Sequence, residues 1–192
     1  MAVTRAETTA ATRSRIIEVA TELFSANWFE DVSLTRIAEA AGVSHQTVLN
    51  HFESKEGLAL AMWQAVGAET VERRNTAKRN DVPKAVHVLV GEYERFGDSN
   101  ARWAATAERL GSLAPLLDEA RGVHQQWLND MFGDALPTRS DARARCINAL
   151  HAATDVYTWK LLRRDLKLSR AETERTMVEL ANGVLLQARD RT

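Results

Sequence analysis

The chain has 192 residues, with 25 Lys+Arg against 26 Asp+Glu and a formal net charge of −1, which excludes a strongly basic nucleic-acid coat and an acidic disordered tail. Hydrophobic residues make up 45% and charged residues 27%, enough for a sizeable core, and the single cysteine, Cys146, excludes an internal disulfide and a multi-cysteine zinc site. Nine glycines and three prolines are few breakers, which favours long helices, and no apolar run approaches the roughly 18 residues of a membrane span.

Residues 1–12 are small and polar and read as a mobile arm with no apolar leader segment, so a reducing cytoplasm is the expected compartment. From Arg13 the pattern turns helical, with Ile16, Ile17, Ala20, Leu23 and Phe24 on one face up to about Asn27. Ser33 fits an N-cap for a short helix carrying Leu34, Ile37, Ala38 and Ala41. Gly42 fits a left-handed stop, and Ser44 caps the next helix from His45 to about Phe52. Ser54-Lys55-Glu56-Gly57 reads as a cap and turn leading into a helix with Leu58, Leu60, Ala61, Met62 and Val66.

The rest is helical too. Pro83 suits the first turn of a helix reaching Phe96; Gly97-Asp98-Ser99-Asn100 reads as a turn, and Arg102 to Leu110 as a short helix. Pro115 opens a helix through Met131, which Gly133 to Pro137 breaks. One long helix is expected from Asp141 to Leu166, apolar nearly all round in its middle. Ser169 with Glu172 three residues later forms a capping box for the last helix, with Met177, Leu180, Ala181, Val184 and Leu185 as its stripe. The expected fold class is all-α, about nine helices and no strand, with a head at 1–57 and a body at 58–192.

Two short helices joined by a three-residue glycine turn, Ser33 to Lys55, define a helix-turn-helix. His45, Gln46, Thr47, Asn50 and His51, outward on the second helix, are mid-sized hydrogen-bonding groups suited to base edges and phosphates in a major groove. Leu34-Thr35-Arg36-Ile37-Ala38-Glu39-Ala40-Ala41-Gly42-Val43-Ser44, Thr47-Val48-Leu49-Asn50-His51-Phe52 and Ser54-Lys55-Glu56 closely resemble the TetR family of bacterial transcriptional regulators. Val156 to Leu166 is similar to the penultimate, dimerising helix of many members.

The resemblance implies a homodimer that binds double-stranded DNA at a palindromic operator, with a DNA-binding head and an effector-binding body. Thr35, Arg36, His45, Gln46 and Thr47 would face base edges. Ser33, Thr47, Asn50, His51 and Lys55 would meet phosphates, with Ser44 beside them at the start of the reading helix. Leu49 stands where the family usually has tyrosine, so one hydroxyl contact to the DNA backbone is lost or replaced by a contact to a thymine methyl. Residues 1–60 hold five basic and eight acidic side chains, a net charge of −3. Binding must then rest on a few placed groups, with a modest salt slope of roughly 0.9 per phosphate neutralised.

For the body, His87, Tyr93, Phe96, Trp103, Trp127, Met131, Asp155 and Trp159 are candidate lining for a small apolar or aromatic effector, with His124 and Glu108 nearby as polar groups; a core role is the competing reading of each. Ala149, Ala152, Val156, Leu180, Val184 and Leu185 are the expected dimer surface, a four-helix bundle made by two helices of each subunit. No metal or cofactor is expected beyond the effector. The leading function is a ligand-responsive repressor in which residues 58–71 transmit effector binding; an activator or a regulator without an effector is the alternative. An all-α enzyme is the remote one, because no Glu-x-x-His pair, His-Glu-x-x-His, Gly-x-Ser-x-Gly or phosphate-cradling glycine loop is present.

Overall fold

A computed structural model of the chain describes residues 5–189, which contain helices and no strand. In order they are α1 (Arg5–Ala26), a 3₁₀ turn (Phe29–Asp31), α2 (Leu34–Ala41), α3 (His45–Phe52), α4 (Lys55–Arg74), α5 (Val82–Leu110), α6 (Ala114–Phe132), a 3₁₀ turn (Gly133–Ala135), α7 (Ser140–Thr154), α8 (Val156–Lys160), a π-helical turn (Leu161–Asp165) and α9 (Arg170–Arg189). No helix among the described residues is long and apolar enough to cross a membrane.

The chain forms two compact units. Among the described residues, one holds those up to Glu69 together with Arg102–Leu116; the other holds Thr70–Ala101 and those from Leu117 onward. The first, the head unit, therefore takes in residues 58–69 and 102–116 as well as the helix-turn-helix. Its core is built from Ile16, Ala20, Phe24, Ile37, Ala38, Val48 and Leu58, all nearly or fully buried. Burying an isoleucine, leucine or valine side chain of this kind contributes about 1.5–3 kcal/mol. The second, the body unit, is centred on Leu89, Val90, Tyr93, Leu128, Phe132, Leu150, Trp159, Met177 and Ala181.

Three expectations from periodicity are corrected. Helix α1 begins at Arg5 rather than Arg13, so residues 5–12 are helical and not a mobile arm. Ala6, Ala10 and Ala11 are strong helix formers, and Glu7 in the first turn complements the helix dipole. Residues 1–4 of the expected arm, and the side chain of Arg5, lie outside the described residues.

Second, Gly97-Asp98-Ser99-Asn100 is not a turn: α5 runs unbroken from Val82 to Leu110. Gly97 serves packing instead, because a Cβ there would stand 2.4 Å from Cζ3 of Trp159. Asp98 pairs with Arg164 at 3.0 Å and Ser99 is buried.

Third, the long helix expected from Asp141 to Leu166 is broken at Asp155. Its backbone is extended (φ −71°, ψ 154°) and its carboxylate accepts the Tyr157 N–H at 2.8 Å, so Asp155 starts a new helix. The π-helical turn that follows closes through Leu166 N–H to Leu161 O at 2.8 Å. The apolar pattern crosses this break unchanged, which is why periodicity reads one helix.

Candidate nucleic-acid interface

Helices α1, α2 and α3 pack together in the head. Ser33 Oγ accepts the Arg36 N–H at 3.1 Å and starts α2. Gly42 ends it with φ 65°, a left-handed backbone that a side chain resists, and its N–H reaches Ala38 O and Glu39 O. Ser44 Oγ then accepts the Thr47 N–H at 3.1 Å and starts α3. Two caps and one left-handed glycine thus fix the angle between the helices. Val48 and Phe52 turn inward, while His45, Gln46 and Asn50 stay exposed and Thr47, Leu49 and His51 are half-buried.

The outward side of α3 is internally bonded. Ser44 Oγ and Thr47 Oγ1 lie 2.8 Å apart, and Gln46 Nε2 donates to Asn50 Oδ1 at 2.9 Å. Thr35 and Arg36 are exposed on α2. The His51 ring lies 5.9 Å from that of Phe52. Lys55 is drawn inward: its Nζ sits 4.2 Å from the Phe29 ring centroid and 3.5 Å from Glu30 O. Burial lowers its pKa, against the opposing pull of Glu30, Glu56 and Asp31.

Sequence reasoning missed three supports of this head. Arg13 lies over the Phe52 ring at 5.1 Å, which ties α1 to the end of α3. The end of α5 braces the head: Trp103 packs 5.4 Å from both Phe24 and Phe29, Arg102 donates to Ser25 O, and Arg109 pairs with Glu30. Gly57 cannot carry a side chain, because its Cβ would fall 2.1 Å from Phe52 O. Gly57 reads from the sequence as part of a cap and turn, whereas the structure places it in the first turn of α4; the other two supports join residues distant in sequence and leave no local signal.

The body places the effector candidates unevenly. Tyr93, Trp127, Met131 and Trp159 share one core, whereas Trp103 belongs to the head unit. His87 is exposed and pairs with Glu174 at 3.2 Å, and Phe96 lies under the guanidinium groups of Arg73 and Arg95. Asp155 pairs with His151 Nε2 at 3.3 Å. Beside them is a buried polar network. Arg74 grips Glu92 with two bonds of 2.9 and 3.0 Å, and its Nη1 donates to His124 Nδ1 at 3.1 Å. His124 Nε2 therefore carries the proton and donates to Thr154 Oγ1 at 2.9 Å; Thr154 in turn donates to Leu150 O, and Tyr93 OH to Thr154 O. Burial, reinforced by the charge of Arg74, holds the His124 pKa well below its usual value. The His124 and His151 rings meet edge to face at 4.8 Å.

Two surface troughs mark the body. One of about 380 Å³ follows α9 and is lined by Leu180, Gly183 and Val184 among others; a smaller one of about 110 Å³ lies between α7 and α9 beside Cys146 and Ala149. None of the eight effector candidates lines either. Of the expected dimer residues, Ala149, Ala152 and Leu180 are exposed, Val156 and Val184 are half-buried, and Leu185 points into its own core while Leu186 beside it is exposed.

Residues 16–62 match the family model described as bacterial regulatory proteins, tetR family. The HTH-type transcriptional regulatory protein RaaS of Mycobacterium tuberculosis is 36% identical over 135 residues, which cover 69% of this chain and 63% of that protein. The HTH-type transcriptional regulator UidR of Escherichia coli K12 is 41% identical over 51 residues, covering 27% of this chain and 26% of UidR. The match thus spans less than two thirds of the first relative and about a quarter of the second. A tetR-family transcriptional regulator from Streptomyces coelicolor has the same fold (TM-score 0.77, 18% identity, covering 100% of this chain and 85% of that one). So does a transcriptional regulator from Rhodococcus sp. Rha1 (TM-score 0.73, 17% identity, 92% and 97% covered).

Proposed function

Because the chain belongs to the TetR family of bacterial regulatory proteins, we propose that it is a sequence-specific DNA-binding transcriptional regulator that acts in the cytoplasm as a homodimer on a palindromic operator. The observation that carries this reading is the outer side of α3. Capped by Ser44, it leaves His45, Gln46 and Asn50 exposed with Thr47 beside them, at the size and spacing that major-groove reading needs. Thr35, Arg36, Ser33, Ser44, His51 and Lys55 complete the proposed contact set. Lys55 meets a phosphate by leaving the Phe29 ring or by extending past it. A second copy covers the Leu180–Val184 trough and the exposed Ala149 and Ala152.

In this reading the protein is a repressor released by a small apolar or aromatic effector held in the body among Tyr93, Trp127, Met131 and Trp159. Two buried nitrogens there have no hydrogen-bond partner among the described residues: Trp127 Nε1, a donor, and His151 Nδ1, an acceptor when Nε2 donates to Asp155, so a ligand carrying both an acceptor oxygen and a donor hydroxyl or N–H suits them. The signal passes along α4, whose first residues belong to the head unit and whose last, Arg74, belongs to the body. The full burial of Trp159 and close packing of Tyr93 favour a second reading, a regulator without an effector.

A gel shift with the promoter DNA adjoining the gene tests the first claim: the purified chain retards a fragment containing a palindrome and spares a scrambled one. Adding a panel of apolar and aromatic compounds separates the two readings of the body. Release of DNA together with a raised melting temperature supports the effector; release by none of them supports the second.

A further inference from the structure

The two amides on the outer side of α3 act on each other. Gln46 Nε2 donates to Asn50 Oδ1 at 2.9 Å, one helical turn away, and both side chains are exposed. A free glutamine amide can turn over and offer a groove either its carbonyl or its N–H groups. Here one N–H is committed to Asn50. The carbonyl and the second N–H are left in a fixed order on one edge. The neighbouring hydroxyls of Ser44 and Thr47 bond each other at 2.8 Å and do not compete for the amide.

That edge has a chemical match. In the major groove adenine presents an N6–H donor beside the N7 acceptor, whereas guanine presents two acceptors, O6 and N7. An acceptor–donor edge held in one order fits adenine and sets the Gln46 carbonyl against O6 of guanine. Asn50, with one lone pair of its carbonyl engaged, keeps both of its N–H donors, which suit a phosphate oxygen.

We propose that Asn50 is a positioning residue: it holds the Gln46 amide in the orientation that reads adenine, so that each operator half-site carries an A·T pair under Gln46. The inference rests on the reading of α3 as the base-reading helix. It makes Asn50 a determinant of sequence without requiring it to touch a base.

The test selects duplexes with a randomised centre using the full chain, as wild type, Gln46→Ala, Asn50→Leu and Asn50→Asp. Affinities are then measured on the selected duplex and its single-base variants, and circular dichroism melts check that each variant is folded. Gln46→Ala locates the pair by losing preference at one position per half-site. The wild type prefers adenine there by about tenfold. Asn50→Leu loses that preference and keeps the others. Asn50→Asp keeps it, because a carboxylate still accepts from Gln46, while all duplexes bind more weakly through charge repulsion. If both Asn50 variants weaken every duplex alike and adenine stays preferred, Asn50 is a phosphate contact only and the inference is overturned. It is also overturned if the base at that position is guanine. A wild type that selects no sequence overturns the DNA reading itself.

Discussion

Gly97 lies directly beneath the indole of Trp159: a Cβ on the glycine would stand 2.4 Å from Cζ3 and 2.7 Å from Cη2 of a side chain that is itself fully buried. The close approach of α5 to α8 at this point is possible because position 97 has no side chain. Gly97→Ala therefore overpacks the body and is expected to lower stability by about 1–3 kcal/mol in urea denaturation. With Trp159→Leu in place the sign reverses, since alanine is favoured over glycine inside a helix by roughly 0.5–1 kcal/mol. Equal effects of Gly97→Ala in both backgrounds would show that the contact does not govern the position.

Two glycines of the head should respond differently to alanine. Gly42 has open space around its missing Cβ but a φ of 65°, so Gly42→Ala meets only the backbone penalty, about 1–2 kcal/mol. Gly57 has ordinary backbone but a carbonyl, Phe52 O, 2.1 Å from where Cβ would be. Backbone must move to relieve that clash, so Gly57→Ala has the larger effect on the melting temperature. The reverse order would mean that the turn after α3 yields easily.

His124 sets a pH dependence. It is held neutral in the fold by burial and by Arg74, with its pKa well below the usual 6.5. Below that value the unfolded chain binds a proton that the folded chain refuses, so stability is full above about pH 6.5 and falls on acidification by up to about 1.4 kcal/mol per pH unit. The carboxyl groups of Glu94 and Glu172, whose pKa values are lowered, lose their contributions only at more acidic pH. Chemical denaturation at pH 7 and pH 5.5 should show the loss in wild type and a smaller one in His124→Gln. The same loss in both would remove His124 as its source.

Arg74 and Glu92 are both buried and joined by two bonds. Arg74→Met leaves a carboxylate without its partner and is expected to cost about 3–5 kcal/mol. The double variant Arg74→Met with Glu92→Leu should recover most of that stability, because no unpaired charge remains. A double variant as unstable as the single one would show that Arg74 acts mainly through His124 and through the Trp127 ring, whose centroid lies 5.6 Å from its guanidinium carbon.

The helix-turn-helix was legible because its determinants are local: Ser33, Gly42 and Ser44 each act within three or four residues, and the structure gives each the expected geometry. The body was less so. Gly97 reads as a turn until Trp159 is brought against it from another helix, and Asp155 reads as the middle of one long helix, whereas it caps a new one and pairs with His151. Periodicity reports which face is apolar. It does not report a break that keeps the face unchanged. The bracing of the head by Arg102, Trp103 and Arg109 depends on contacts some 75 residues apart in sequence and leaves no local trace.

Recognition by a few placed groups in a head of net charge −3 is tested most directly by the affinity of the purified chain for the selected duplex against a scrambled duplex of the same composition, across a salt series. The expected result is a preference of about 10³-fold or more with a shallow salt slope, set by a handful of phosphates. Equal affinity for the two duplexes, or a steep slope shared by both, would contradict it.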